Sequence, residues 1–238
     1  MLSVFEIDIQ QTCPCESDIL KAQGIPSNIK PEPKIIELAQ KSISIYNQLA
    51  KPKALIKEIS VEQFEVIYFG DGRNDDDTPL EDIYKLSNKL ALFAVSIGED
   101  ICQKISELFE QNDYALASML DSAASEGVEN TTISVEQSCA INWETNNSDS
   151  FEVVTRFSPG YCGWHISGQK KLFDLISPET IGIKLSENFL MEPIKSISGV
   201  LIAGKKEIFD FSDNYSFCAD CADHSCQKRD FSYPENKI

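Results

Sequence analysis

The sequence predicts an α+β fold, and three observations support that class. Short runs rich in β-branched and aromatic residues are interspersed with amphipathic stretches of helical period. These runs do not keep the strict strand–helix–strand order that is typical of a parallel sheet. No internal repeat is visible that would indicate a solenoid or a propeller.

The composition is that of a globular protein with an unusually acidic surface. Of 238 residues, 42% are hydrophobic and 25% are charged, which is enough apolar material for a sizeable core. The net charge of −17 argues against nucleic acid and anionic membranes as partners. It favours a cationic ligand or a basic face on a partner protein, although acidic residues that only maintain solubility are the alternative.

Nothing in the sequence indicates secretion or a membrane span. The N-terminal stretch MLSVFEIDIQ carries acids and lacks a basic region, and no apolar run approaches the roughly 20 residues that a span requires. We therefore expect a cytoplasmic protein. In that compartment the eight cysteines are expected to be thiols or metal ligands rather than disulfides.

The first elements are predicted from alternation and helix stop signals. Alternation over Met1–Gln10 predicts a short edge strand, and Ser17 can cap a helix over DILKAQ that ends at Gly24. The segment KIIELAQKSISIYNQLA has helical spacing of its apolar residues. KALIKEISV and FEVIYF are both predicted as strands.

The following elements are predicted in the same way. GDGRNDDDTPLED is a polar loop with a helix starting near Pro79, because proline favours the first helical turn. LALFAVSIG is predicted as a buried strand that leads into a helix over GEDICQKISELFE. DYALASMLDSAASEGVE is predicted as a second helix whose small residues allow close packing.

The polar stretch Asn146–Ser150 is the best candidate for an internal break. After it we expect a strand at FEVVTRF, the loop SPGYCGWHISG, a helix at QKKLFDLI and a strand at SISGVLIAG. We expect one domain over residues 1–212 and a polar, cysteine-bearing tail over residues 213–238.

The segment RFSPGYCGW carries the best candidate binding residues. Pro159 fixes φ and Gly160 permits a sharp turn in which backbone groups can face a ligand. Arg156 offers a planar donor fork for a carboxylate, and Tyr161 offers a flat face beside a nucleoside. Taken alone, these residues favour a purely structural turn over a binding site.

Two stretches together resemble the reactivation domain of cobalamin-dependent methionine synthase. One is the Arg-x-x-x-Gly-Tyr loop that starts at Arg156, and the other is IGIKLSENFLMEPIKSISG, Ile181–Gly199. Both occur in the expected order and spacing, and we expect the two stretches to share no structural reason to co-occur. The resemblance extends from about Leu90 to Gly204, and Asp121 is the best match to an acidic ligand contact on the upstream helix.

This resemblance implies a mixed, mainly antiparallel twisted sheet with flanking helices. It also implies binding of S-adenosylmethionine by Arg156, Gly160 and Tyr161, with main-chain contact at Ser158 and an acid at Asp121. A solvated helix carboxylate is the alternative for Asp121. The family's further aromatic contact has no secure counterpart here, where the corresponding region is GKKEIFDF.

The sequence lacks the D-x-H-x-x-G motif that binds cobalamin, and its only histidines are His165 and His224. Any corrinoid must therefore be carried by a partner, a corrinoid-binding protein or methyltransferase. In the tail, Cys218, Cys221 and Cys226 have C-x2-C-x4-C spacing, which suits zinc or an iron–sulfur cluster. These three lack a fourth ligand, for which Cys13, Cys15 and His224 are the candidates. An unliganded reduced tail is the alternative.

Three functions follow as hypotheses. The first is an S-adenosylmethionine-binding accessory protein that supports reductive reactivation or methylation of the corrinoid in a cobalamin-dependent methyltransferase system such as methionine synthase. The second is a non-enzymatic docking or chaperone module for a corrinoid protein, and the third is a metal-binding regulator built around the tail. Whether the chain is a methyltransferase component in the enzymatic sense is left open by its residues.

Overall fold

The computed structural model describes residues 2–146, 151–210 and Tyr215. Five strands form one sheet in the order β1–β2–β3–β7–β4, and two short strands form a separate hairpin. Every strand pairing is antiparallel, which confirms the predicted α+β class. The strands are β1 Leu2–Glu6, β2 Lys53–Ile59, β3 Lys89–Ser96, β4 Val153–Phe157, β5 Lys184–Leu185, β6 Met191–Glu192 and β7 Ser196–Gly204.

Helices cover both faces of the five-stranded sheet. They are α1 Ile9–Thr12, α2 Glu16–Ala22, α3 Pro33–Leu49, α4 Val61–Phe69, α5 Pro79–Lys85, α6 Glu99–Glu110, α7 Tyr114–Asn146 and α8 Gly168–Ile176. Two 3₁₀ turns, Pro178–Ile181 and Lys206–Phe209, follow α8 and β7. None of the helices in the described part of the chain is long and apolar enough to span a bilayer.

The central strand β3 separates two hydrophobic cores. Its residues Ala91, Phe93 and Val95 pack into the core that α3, α6 and α7 cover, called here the α7 face. Its residues Leu90, Leu92 and Ala94 pack into the core under α4, α5 and α8, called here the α8 face. A strand buried on both faces has no polar side to present, which explains the continuous apolar run in LALFAVSIG.

The strand prediction for FEVIYF is wrong, because this segment is helix α4. The Ser60 side chain accepts a hydrogen bond from the Gln63 amide, and the Gln63 side chain accepts one from the Ser60 amide. This reciprocal capping box satisfies two backbone donors that a helix start otherwise leaves unpaired. Phe64, Ile67 and Tyr68 then fall on one buried face at helical spacing. The local capping chemistry outweighs the β-propensity of the same residues.

Other elements differ from the predictions in their extents. Helix α2 begins at Glu16 after the N-cap Cys15, so Ser17 is not its cap. Helix α7 has 33 residues and continues beyond Glu129, where the predicted helix ended. The predicted close packing on α7 is confirmed at Gly127, where a Cβ atom would lie 2.2 Å from Tyr46 Cε2.

The stretch proposed as an internal break separates strands of the same sheet. Strand β4 follows it and pairs with β7, whereas β1 to β3 precede it. The division into residues 1–212 and a tail stays a prediction, because most of the tail lies outside the described residues. Tyr215 is described, and its hydroxyl donates to Asp82 on α5 at 2.7 Å.

Candidate functional site

The candidate loop begins where the edge strand β4 ends. Because side chains alternate along a strand, Arg156 lies on the α7 face and Phe157 is buried in the core of the α8 face. Arg156 is in register with Leu201 on β7. At the end of β4, therefore, the Arg156 side chain points toward α7 and the Phe157 ring points into the core of the α8 face.

A tight turn follows, held by three backbone hydrogen bonds. The Tyr161 amide donates to the Ser158 carbonyl at 3.1 Å, and the Trp164 amide donates to the Tyr161 carbonyl at 3.0 Å. The Gly160 amide donates to the Trp164 carbonyl at 2.6 Å and closes the turn. Gly160 has φ 96°, a conformation that side chains disfavour. Trp164 is buried, whereas Tyr161 is 60% exposed. The turn thus fixes its backbone and leaves the tyrosine ring available to a ligand.

The polar loop before Pro79 packs against this turn and forms hydrogen bonds with it. Asn74 accepts from the His165 amide at 2.9 Å through its side-chain oxygen and donates to the Tyr68 carbonyl at 2.6 Å. The Asp75 amide donates to the Gly163 carbonyl at 3.0 Å. A Cβ atom at Gly163 would lie 2.2 Å from Thr78 Cγ2, so glycine permits the two loops to touch. The loop predicted from GDGRND is therefore a structural support for the candidate site.

The expectation that the two resembling stretches lack a structural reason to co-occur is wrong. Gly199, at the end of the downstream stretch, lies against the end of β4. A Cβ atom there would be 2.2 Å from the Phe157 carbonyl oxygen and 3.0 Å from Ser158 Oγ. The glycine of one stretch thus allows the backbone of the other to approach, and the two form one structural unit.

Arg156 is held by two acids of helix α7. Its Nη2 atom lies 2.5 Å from Glu129 Oε2, and its Nη1 atom lies 3.6 Å from Glu136 Oε2. The arginine side chain is only 14% exposed, and Glu136 is also largely buried. The predicted carboxylate receptor is therefore already surrounded by two carboxylates of its own chain.

Asp121 lies elsewhere on the same helix and has a different partner. Its Oδ1 atom is 2.8 Å from Lys195 Nζ, and the same ammonium donates to Ser125 Oγ at 2.8 Å. Lys195 directly precedes β7, and its carbonyl accepts from the Ile97 amide at 3.3 Å. This cluster ties helix α7 to the start of β7 and to the segment that follows β3.

Burial perturbs two ionisable groups close to these clusters. Desolvation raises the pKa of the Glu126 carboxyl on α7, and the neighbouring acids Asp18 and Glu129 raise it further. Desolvation also raises the pKa of the Cys102 thiol on α6, although the backbone and ammonium of Lys195 oppose that shift. The candidate region is thus partly desolvated and predominantly anionic around Glu129.

Four of the predicted ligand residues lie on one continuous segment, which is the end of β4 and the turn after it, and the fifth does not join them directly. Asp121 and Glu129 are eight residues apart on α7, which corresponds to about 12 Å along the helix. Sequence reasoning missed Glu129, Glu136 and Lys195. The two glutamates could have been found from the helical period beyond Asp121, but only if the helix had been predicted to full length.

The predicted metal ligands Cys218, Cys221 and Cys226 lie outside the described residues. Within residues 2–146, 151–210 and 215, no group of three or more histidine, cysteine, aspartate or glutamate side chains is placed to hold a metal ion. Cys13 and Cys15, suggested as completing ligands, are free thiols near the start of α2. His165 Nδ1 accepts from the Ser167 amide at 3.1 Å, as a structural loop histidine does.

Comparisons with known proteins agree with the fold. A family model described as the vitamin B12 dependent methionine synthase activation domain matches residues 79–212, which is more than half of the chain. Among solved structures, the chain is similar to one titled "Crystal Structure of the MetH Reactivation Domain bound to AdoHcy", with a TM-score of 0.60 and 16% identity. That match covers 87% of this chain and 79% of the other, and it establishes the shared fold. No curated protein matches the sequence.

Proposed function

We infer that the chain binds S-adenosylmethionine beside the turn after β4. The chain belongs to the family of vitamin B12-dependent methionine synthase activation domains, and its turn resembles the Arg-x-x-x-Gly-Tyr loop of that family. The site is proposed to comprise Arg156, Ser158, Gly160 and Tyr161, with Asp121 on α7. The observation that carries the proposal is the constrained turn with its exposed tyrosine. A nucleoside can stack on the Tyr161 ring while backbone groups of the turn form hydrogen bonds with the polar edge of its base.

The binding of a sulfonium ligand suits the electrostatics of this region. S-adenosylmethionine carries an ammonium and a sulfonium against one carboxylate, so its net charge is positive. Around Arg156 there is one cation for two carboxylates, and the whole chain has a net charge of −17. Opposite charges in a partly desolvated site attract more strongly than in water.

The bound ligand is proposed to serve a corrinoid that a partner protein carries. The corrinoid would supply a reduced cobalt centre, kept reduced by an external one-electron donor, that could accept the methyl group of the sulfonium as a cation. The thioether of the ligand would be the leaving group. This chain's contribution would be to position the sulfonium methyl, which is a proximity effect that needs no acid or base. A free-standing accessory role for a methyltransferase such as methionine synthase is part of the proposal.

Calorimetric titration tests the binding step. We expect micromolar affinity for S-adenosylmethionine in the wild type and no measurable binding in Arg156→Ala, which removes the cation that organises two glutamates. Lys104→Ala, which removes a partly exposed cation from α6, is the matched control and should bind normally. Absence of binding in the wild type, with or without a corrinoid protein, would contradict the proposal.

A second candidate function is a docking module that recognises a corrinoid protein without binding the nucleoside. The observation that favours it is that Arg156 and Asp121 both have internal ion-pair partners. Co-purification with a corrinoid protein that S-adenosylmethionine does not affect would support this function. Assembly that requires the nucleoside would support the first.

The cysteine tail is proposed to hold zinc or an iron–sulfur cluster, and an iron–sulfur cluster there could deliver the electron. Anaerobic purification, an absorbance spectrum and metal analysis test this. Replacement of Cys218 and Cys221 by serine should remove the metal, whereas replacement of the half-buried Cys102 should not.

A further inference from the structure

A cavity of about 370 Å³ lies between the first two strands of the sheet and the last turns of α7. Its volume falls within the usual range of ligand pockets, roughly 300 to 1,000 Å³. Strands β1 and β2 form one side of the cavity, and α7 forms the other. The residues that line it include Ser3, Phe5, Ile56, Glu58, Cys139 and Trp143. The cavity is thus separate from the candidate site after β4.

Glu58 supplies the charge of this cavity, and its carboxylate is held in one orientation. Its Oε1 atom accepts a hydrogen bond from Trp143 Nε1 at 2.7 Å, and the indole ring is only 3% exposed. The ion pairs formed among the described residues do not include Glu58. The second carboxylate oxygen is therefore oriented toward a cation that these residues do not provide.

The floor of the cavity is apolar and desolvated. Cys139 and Trp143 belong to the core of the α7 face, and Phe5 and Ile56 pack against that core. The pKa of the Cys139 thiol is raised to about 12, with burial as the largest cause and the carboxylate of Glu58 as the next. A ligand here would have an apolar wall for a hydrocarbon stem and a carboxylate for a cationic head.

The rim of the cavity is the edge of the sheet. Strand β1 is outermost, and in the described part of the chain no strand pairs with its outer edge. Ser3 and Phe5 face the cavity, whereas Leu2 and Val4 point to the other side of the sheet and are 44% and 53% exposed. An edge strand with exposed apolar side chains is a template for the pairing of another strand.

We propose that the outer edge of β1 binds an extended basic segment of a partner protein, which adds a strand to the sheet and places a lysine or arginine side chain in the cavity beside Glu58. Main-chain hydrogen bonds to β1 supply affinity, and the cavity supplies specificity. The added strand lies two strand spacings from β2, about 10 Å, so only a long side chain reaches Glu58.

Charge distinguishes this occupant from a second copy of the chain. A second copy carries the same net charge of −17 and is repelled, whereas a basic segment is attracted. The inference goes beyond the proposed function and does not depend on the binding of S-adenosylmethionine.

Three blocked peptides test the proposal: Thr-Val-Thr-X-Thr-Val-Thr with lysine, methionine or glutamate at X. In calorimetric titrations of the full chain, the lysine peptide should bind about tenfold more tightly than the methionine peptide, the value of one charge-assisted hydrogen bond. The glutamate peptide should bind more weakly than either. Methylation of one alternate set of peptide amides should abolish binding, whereas methylation of the other set should not, because only one set faces β1.

Glu58→Gln removes the charge and keeps an oxygen that can accept from Trp143, so this variant should lose the preference for lysine. Glu144→Gln removes the same charge from an exposed position on α7 and should keep the preference. The Trp143 indole N–H signal in NMR spectra should shift with the lysine peptide, because that group donates to Glu58. The chain has two tryptophans, and Trp164→Phe identifies the signal of Trp143.

Absence of binding, equal affinities for the three peptides, or equal losses in the two glutamine variants would overturn the proposal. An unshifted Trp143 signal on binding would do the same. A dimer that the lysine peptide dissociates would identify a second copy as the occupant and would also contradict it. If Trp164→Phe does not fold, calorimetry with the two glutamine variants decides the question.

Discussion

At Gly199 the lack of a side chain allows two stretches that are distant in sequence to come into contact. Its neighbour across the sheet is the end of β4, whose Phe157 carbonyl oxygen occupies the space that a Cβ atom would need. The same principle applies at Gly163, where the polar loop before Pro79 touches the candidate loop after β4. Individual glycines thus determine how closely the backbone segments of the site approach.

Gly199→Ala should destabilise the fold by about 1–3 kcal/mol, the usual cost of overpacking. The added Cβ atom would clash with the Phe157 carbonyl oxygen, which is backbone and cannot rotate away as a side chain can. Gly204→Ala in the same strand is the matched control, because its Cβ atom would meet the flexible tip of Ile208 instead of backbone. Urea unfolding measures both free energies. Equal costs for the two variants would show that the contact with Phe157 does not constrain the strand pair.

Among the elements, helix α7 organises the candidate site. It packs over the sheet and supplies Asp121, Ser125, Glu129 and Glu136 to the two cations that rise from β4 and from the start of β7. Its close contact with α3 at Gly127 fixes its position. Helix α4, on the other face, supports the site through Phe64 and Tyr68, which pack around Trp164.

Ser60→Ala should remove the capping box of α4 and lower the free energy of unfolding by about 1 kcal/mol. Ser138→Ala, on the exposed surface of α7, is the control and should change stability by no more than about 0.5 kcal/mol. Chemical denaturation measures both. An unchanged stability in Ser60→Ala would mean that burial of Phe64 and Tyr68 alone determines the helix.

For the whole molecule, the net charge of −17 means that the acidic side chains repel one another in the folded state. Net charge far from zero destabilises a compact state by self-repulsion, and added salt shortens the range of that repulsion. The described ion pairs include several exposed ones, which contribute little to stability.

The melting temperature should therefore rise when sodium chloride is increased from low to near-molar concentration. A gain of 1 kcal/mol corresponds to about 2–4 °C in a chain of this size. Differential scanning calorimetry at matched pH measures it, with a neutral osmolyte of equal osmolarity as the control. A melting temperature that falls with salt would show that attractive ion pairs outweigh the repulsion.

Much of the fold could be predicted because its signals are local. Hydrophobic period and stop residues located β2, β3, β4, β7 and the helices α3, α5 and α6 close to their observed bounds. The segment FEVIYF was misassigned because its β-rich composition concealed a capping box. The motif residues Arg156, Gly160 and Tyr161 were located from the resemblance alone, since chemistry by itself favoured a structural turn.

The sequence by itself determined the fold class, the place of the candidate turn and the acidic character of the protein, because each depends on neighbouring residues or on composition. Only the tertiary structure decided which charges meet. Lys195 and Asp121, and Arg156 with Glu129 and Glu136, are far apart in the chain and come together because α7 packs over the sheet. Electrostatic partners depend on distances in space, and a sequence specifies those only after it has folded.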